Sequence, residues 1–197
     1  MSDWLSKLSF AAGLALATLI SGCDSGVGDP CVPEEEFLSD FSGFSLEQTN
    51  VESRSFQCET RICLVNHFAG RVSCPYGQTE ADLGLAATDP KRCRIPGSAD
   101  PVEVAVEPQR TKRRADDTVY CSCRCSGPDK NARYCDCPSG YGCVKLIDDL
   151  SLQIGQLAGS YCIKDGTAYD GSIKSDSLYS EKCDSKNSTC GNGQNPQ

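Results

Sequence analysis

Alternating cysteines form the densest chemical feature of this chain. Cys121, Cys123 and Cys125 lie two residues apart, and Cys135 and Cys137 follow after a Gly-Pro-Asp turn. Because residues two apart on a β-strand share a face, a hairpin of these segments would place five sulfurs on one side. Cysteines two apart on a strand do not easily bridge each other, so each disulfide would reach a different segment. We expect this hairpin to be the hub of a disulfide network.

Clustered sulfurs have a second chemical use, because thiolates bind zinc and copper(I). An exported chain meets oxidants that convert such thiols to disulfides, which favours bridges over metal. We therefore predict no metal site and no cofactor, with a thiolate metal-binding protein as the alternative.

His67 is the only histidine and the main candidate for a catalytic base. No serine or cysteine beside it forms a recognisable nucleophile motif. We predict that the protein is not an enzyme and has no catalytic residues, and that His67 lies in a turn or on the surface.

The N-terminus has the layout of an export signal. Lys7 precedes the uncharged stretch Leu8–Ile20, whose thirteen residues are too few to span a bilayer comfortably. Small residues, Ser21 and Gly22, then precede Cys23, as a peptidase cleft requires. We predict a targeting segment that is removed from the protein.

The stretch Leu19–Cys23 resembles the lipobox of bacterial lipoproteins. The resemblance implies that Cys23 receives diacylglycerol, that the chain is cleaved before it, and that the new terminus is acylated, with palmitate a typical chain. The protein would then be lipid-anchored in the cell envelope, on the periplasmic or cell-surface side. Asp24 resembles an inner-membrane retention signal in some bacteria, but this rule varies, so the choice of membrane stays open.

The mature chain has few large apolar residues and many cysteines. Leu, Ile, Val and Phe make up 31 of the 175 residues from Cys23 onward, about 18%, which is little for a core built on apolar burial. With Cys23 lipidated, fourteen of the fifteen cysteines remain, enough for seven disulfides. The disulfide candidates are Cys31, Cys58, Cys63, Cys74, Cys93, Cys121, Cys123, Cys125, Cys135, Cys137, Cys143, Cys162, Cys183 and Cys190.

Composition and parity suggest the domain organisation. We predict a signal peptide at 1–22, the lipidated cysteine and an acidic tether containing Glu34–Glu36 at 23–50, one disulfide-stapled domain at 51–190, and a disordered tail at 191–197. Five of the fourteen candidate cysteines precede residue 100 and nine follow it. At least one bridge must therefore cross that position if all of them pair.

Residue patterns predict short strands at Arg61–Val65, Arg71–Cys74, Pro101–Glu107 and Tyr161–Lys164. Apolar residues at intervals of three and four predict one short helix within Val144–Leu157. The predicted fold is small, disulfide-rich and mostly β, with long loops and at most one short helix. Cys135 to Cys143 resembles the closing part of an epidermal-growth-factor-like module, although only Gly142 separates Tyr141 from Cys143, where that family has a longer loop.

The charge pattern restricts the partners. A net charge of −8 disfavours nucleic acid and leaves membrane attachment to the lipid. The basic stretch 110–114 is a solvated loop neutralised by Asp116 and Asp117, a contact for an anionic partner, or a protease-sensitive loop. A protein or saccharide ligand would need exposed aromatic rings. The candidates for that contact are Tyr76, Tyr141, Tyr161, Tyr169 and Tyr179.

These observations favour a lipid-anchored envelope protein with a non-enzymatic structural, binding or adhesion role. The ligand cannot be read from the sequence.

Overall fold

The computed structural model describes residues 26–148, 157–169 and 179–190. Cys23, the predicted signal peptide and the predicted tail 191–197 lie outside these ranges. The described residues form two three-stranded antiparallel sheets, one four-residue α-helix and long loops, which confirms the predicted disulfide-rich, mostly β fold. The strands are β1 Thr49–Glu52, β2 Ile62–Asn66, β3 Val119–Ser122, β4 Arg124–Ser126, β5 Tyr141–Ile147 and β6 Gly159–Lys164, and the helix is α1 Ala115–Thr118.

The first sheet has the order β1-β2-β3 and is buried on both faces. Alternation along β2 sends Cys63 and Val65 to one core cluster, where Phe44 and Phe68 cover them. Leu64 points the opposite way and packs with Tyr120 of β3 and Tyr161 of the second sheet. Burial on both faces explains why β2 reads as a continuous apolar run.

The second sheet has the order β4-β6-β5. Its central strand, β6, pairs with β5 along almost the whole length of both strands, and Cys143 lies opposite Cys162. The predicted strand Tyr161–Lys164 is confirmed as the main part of β6, and the turn at Asp165 and Gly166 follows it.

Seven disulfides pair all fourteen candidate cysteines. Cys58–Cys121 crosses residue 100, as the parity argument requires, and it joins the β1–β2 loop to β3. The other six are Cys31–Cys63, Cys74–Cys93, Cys123–Cys135, Cys125–Cys143, Cys137–Cys162 and Cys183–Cys190.

The predicted hairpin of Cys121–Cys125 with Cys135–Cys137 is wrong. Cys121 lies in β3 of the first sheet, Cys125 lies in β4 of the second, and residues 133–138 form no strand. The chain therefore changes sheets at Cys123, and the segment 133–138 is attached mainly through its disulfides. The alternation of cysteines correctly indicated β-strand. It could not show that the strands on either side of Cys123 belong to different sheets.

The predicted helix within Val144–Leu157 is also wrong where the structure describes it. Val144 to Ile147 belong to β5, while residues 149–156 lie outside the described ranges. The β-prone residues of this stretch pair with β6, and the Cys125–Cys143 disulfide links the first part of β5 to β4. The apolar spacing of this stretch fits a helix, but pairing with β6 makes it a strand.

Two of the predicted strands are present only as isolated β-bridges. Arg71 and Cys74 bridge each other across a tight turn, which leaves β2 as the one strand of the two expected there. Pro101–Glu107 forms no continuous strand, although its apolar Val102 and Val106 are buried as the alternation predicted.

A buried glutamine takes the place of a strand partner beside Pro101–Glu107. Gln78 Nε2 donates to the carbonyls of Val102 (2.9 Å) and Val104 (2.6 Å), and Gln78 Oε1 accepts from the backbone of Cys93 (2.9 Å). The backbones of Gln78 and Val106 also pair with each other. These bonds satisfy buried backbone groups that a sheet would otherwise pair.

The acidic run predicted as part of a tether belongs to the folded unit instead. Glu34–Phe37 forms a short 3-10 helix, and Glu36 is fully buried. Its carboxylate lies 3.6 Å from Nε of the equally buried Arg71 and accepts hydrogen bonds from the backbone of Val72 and from the backbone and hydroxyl of Ser73. With Cys31 bonded to Cys63 as well, the chain is packed onto the domain from Gly26 onward.

Arg71 completes this buried ion pair by tying three loop carbonyls together. Its guanidinium donates to the backbone oxygens of Glu36, Leu38 and Phe41. Burial raises the pKa of Glu36 and lowers the pKa of Arg71, while the hydrogen bonds and the opposite charges counter both shifts.

Replacing Glu36 should leave the buried Arg71 without its counter-charge. We expect Glu36→Gln to lower the free energy of unfolding by about 3 kcal/mol, since breaking a buried pair leaves one charge uncompensated. Glu34→Gln removes the same charge from an exposed position of the same run and should change stability by less than about 0.5 kcal/mol. Denaturant unfolding with intact disulfides measures both, and equal losses in the two variants would contradict this account.

We expect each disulfide to contribute to the free energy of unfolding according to the length of the loop that it closes. Cys58–Cys121 spans 63 residues, whereas Cys183–Cys190 spans 7. We expect the double variant Cys58→Ser/Cys121→Ser to lose about 4 kcal/mol and Cys183→Ser/Cys190→Ser about 2 kcal/mol, because a longer loop restricts the unfolded chain more. Urea unfolding of the two variants measures both losses of stability. A larger loss in Cys183→Ser/Cys190→Ser would show that loop length does not determine the stabilisation.

Candidate functional site

Six sulfurs of the second sheet form what we call the sulfur cluster. Cys125 comes from β4, Cys143 from β5 and Cys162 from β6, while Cys123 lies between β3 and β4. The other two, Cys135 and Cys137, come from the loop between β4 and β5. The members are Cys123, Cys125, Cys135, Cys137, Cys143 and Cys162.

The three disulfides of the sulfur cluster lie close together. The sulfur of Cys162 is 3.5 Å from that of Cys123 and 3.8 Å from that of Cys135, although Cys162 is bonded to Cys137. Val27 and Tyr141 pack against the cluster. The disulfides therefore supply much of the packing that aliphatic side chains provide in other cores.

The oxidation state decides what the sulfur cluster can do. Two groups of three sulfurs each have their atoms within 4.8 Å of one another. A disulfide sulfur is not a thiolate, so the pairs as they stand are structural; after reduction, each group would offer three thiolate ligands. The first group is Cys123, Cys135 and Cys162, and the second is Cys125, Cys137 and Cys143.

Of the five sulfurs predicted on one face, the structure brings four together. Cys121 is separate, because it is bonded to Cys58 in the core of the first sheet. Cys143 and Cys162 take part instead, and the sequence offered no spacing that could have assigned them.

Arg113 shows that the basic stretch 110–114 is not a solvated loop throughout. Its side chain is 1% exposed and donates to the carbonyls of His67 (2.6 Å), Asn66 (2.7 Å) and Thr167 (3.2 Å). Burial lowers the pKa of Arg113, and the facing tyrosine Tyr179 opposes this. Neighbouring Arg110 forms an ion pair with Glu107 at 2.8 Å. Two of the basic residues of this stretch therefore bind groups within the domain.

Two tyrosines cover the buried guanidinium of Arg113 and His67 stacks on one of them, and we call these four residues the Arg113 cluster. The guanidinium lies 5.4 Å from the ring centroids of both Tyr169 and Tyr179. His67 stacks on Tyr169 with a centroid distance of 4.1 Å, and Tyr179 lies 5.4 Å beyond Tyr169. All three rings are half-buried, which leaves part of each exposed.

His67 occupies a bend and has a positive φ of 50°. Its Nδ1 lies 3.0 Å from the carbonyl of Leu46; because a carbonyl can only accept, Nδ1 carries the proton. Burial lowers the pKa of His67, and the Arg113 charge adds to this effect. The cysteines from Cys31 to Cys190 are all in disulfides, so none of them can act as a thiolate nucleophile beside this imidazole.

The tyrosines that were predicted to contact a ligand lie in different surroundings. Tyr161 is fully buried, and its hydroxyl donates to the carbonyl of Leu157. Tyr141 packs edge-on against Tyr120 in the core. Tyr169 and Tyr179 do lie together, which makes them the pair of the five best placed to meet a ligand.

No helix within the described ranges is long and apolar enough to cross a membrane. The chain matches no protein-family model, no curated protein and no solved structure.

The lowered pKa of His67 predicts a pH effect on stability. Between that pKa and the ordinary value of 6.5, the unfolded chain binds more protons than the folded one, so stability should be full above pH 6.5 and fall as the pH drops below it. Chemical unfolding from pH 8 to pH 5 measures the loss, and NMR titration of this single histidine gives its pKa directly.

His67→Asn is the matched control, since asparagine tolerates positive φ and does not titrate in this range. The control should lose this part of the pH dependence. An imidazole pKa at or above 6.5 would contradict the proposed burial effect.

Proposed function

We propose that this chain is a lipid-anchored cell-envelope protein with a non-enzymatic structural, binding or adhesion role. The observation that carries the proposal is the sequence Leu19–Cys23, which resembles a lipobox and follows an uncharged apolar stretch. Lipid on Cys23 would hold the disulfide-stapled domain at a membrane, on the periplasmic or cell-surface side.

The pairing of the cysteines supports this proposal. The chain has fifteen cysteines, and the fourteen from Cys31 to Cys190 form seven disulfides among themselves. Cys23 is thus not needed for any disulfide of the domain and is available for acylation. Stable disulfides are also typical of proteins outside the reducing cytosol.

A binding role needs a surface, and the Arg113 cluster is the one that we propose. The rings of Tyr169, Tyr179 and His67 stack on one another and remain partly exposed, and this exposed aromatic surface suits the apolar faces of sugars and the side chains of proteins. Arg113 contributes by holding these rings in place from below, since it is buried itself.

The intact mass of the membrane-extracted protein tests the anchor. After free thiols are blocked, we expect the mass of a chain that begins at Cys23 and carries diacylglycerol and an N-linked acyl chain. Reduction should then expose fourteen further thiols. A water-soluble protein that carries no lipid and retains residues 1–22 would overturn the proposal.

Cys23→Ser is the control for this experiment. It removes the acylated thiol but leaves all seven disulfides, so the variant should fold with the same fourteen masked thiols and lose the lipid mass. Membrane retention of the unlipidated variant would point to another mode of attachment.

A thiolate metal-binding protein is the second candidate, favoured by the two groups in the sulfur cluster whose three sulfurs lie within 4.8 Å of one another. The same measurement separates the two candidates. Free thiols in the sulfur cluster, or zinc or copper released when thiols are blocked, would support metal binding. Fourteen thiols that appear only on reduction would exclude it for the isolated protein.

A further inference from the structure

Phe56 is the most exposed large apolar side chain within the described ranges, at 86%. It lies in the β1–β2 loop, where the guanidinium of Arg61 stands 4.4 Å from the centroid of its ring. A phenylalanine so placed contributes little to the core. Its exposure is therefore a feature that the fold itself does not explain.

The loop that carries Phe56 is firmly held. Cys58 is bonded to Cys121 in the core, and the backbone of Ser55 donates to the carbonyl of Arg61. The amide of Gln57 donates to the carbonyl of Val32 at 2.8 Å and accepts from the backbone of Val32 at 3.1 Å. Phe56 is thus presented by a fixed loop.

These contacts also place the loop beside the start of the described chain. Val32 lies six residues after Gly26, the first residue that the structure describes, and a side chain at position 26 would meet that of Glu59 in the same loop. Gly26 is three residues from Cys23, a distance of at most about 10 Å of extended chain. An anchor at Cys23 would hold this side of the domain against the bilayer.

The polar residues of the loop suit a lipid headgroup layer. Arg54 and Arg61 are exposed on either side of Phe56, against the single exposed acid Glu59. Arginines flanking an aromatic ring can contact lipid phosphates while the ring enters the acyl boundary. Within the loop 53–61 itself the two arginines outnumber the one acid, although the whole chain carries −8.

We propose that Phe56, flanked by Arg54 and Arg61, inserts into the membrane interface and fixes the orientation of the anchored domain. The inference rests on the proposed lipid at Cys23. The lipid supplies the attachment, and Phe56 determines which face of the domain lies on the bilayer and which face remains open to a ligand.

Phe56→Trp provides a direct probe, because the only tryptophan of the chain, Trp4, lies in the predicted signal peptide. The lipidated variant is reconstituted in vesicles of phosphatidylethanolamine and phosphatidylglycerol, with and without brominated acyl chains. We expect a blue-shifted emission that bromine quenches several-fold. Leu85→Trp is the control, an exposed apolar position on the loop closed by Cys74–Cys93, and its emission should be largely unaffected by bromine.

The outcomes separate the two proposals. Lipid on Cys23 by mass, together with quenching at position 56 but not at position 85, supports the inference. Lipid on Cys23 with an unquenched, solvent-exposed tryptophan at 56, or with equal quenching at both positions, overturns the inference and leaves the anchor intact. A mature protein without lipid overturns both.

Discussion

The Cys58–Cys121 disulfide is the link on which the rest of this structure depends. Cys121 lies in β3, opposite Cys63 of β2, and its backbone also bonds to Gly28 and Asp29 of the N-terminal segment. Three residues later, at Arg124, the chain enters the second sheet. The bridge therefore joins the first sheet, the N-terminal segment and the β1–β2 loop at the point where the two sheets meet. In a chain with few large apolar residues, such a covalent junction does what a larger hydrophobic core does elsewhere.

The long loops are stable because buried polar side chains bond to their backbone. Arg71 connects three carbonyls of the segment 36–41, and Arg113 connects three others around His67. Gln78 takes the place of a neighbouring strand for Val102 and Val104. Each bond satisfies a carbonyl that would be costly to bury unpaired. Side chains thus replace the regular pairing that this mostly irregular fold lacks, and Arg71 and Arg113 are buried in the process.

The sequence allowed the class of fold and the completeness of cysteine pairing to be predicted, because both follow from counts and from local alternation. It also located β2 and β6, which are short β-prone runs. It could not show that the alternating cysteines divide between two sheets, nor that Val144–Ile147 would form a strand, because both depend on partners distant in sequence. Glu36 and Arg113 were misread for the same reason: within a charge run, no local signal distinguishes a residue that finds a buried partner from its solvated neighbours.

The order of the disulfides has a consequence for how this protein is made. Only two of the seven, Cys74–Cys93 and Cys183–Cys190, join cysteines that are neighbours among those of the chain. A chain oxidised from its N-terminus onward, as the proposed export implies, would first pair neighbours, such as Cys31 with Cys58, and this pair alone blocks both Cys31–Cys63 and Cys58–Cys121. Thiol–disulfide exchange must then resolve these mispairings. Under the proposed export, folding of this domain therefore requires both an oxidant and a disulfide isomerase in the same compartment.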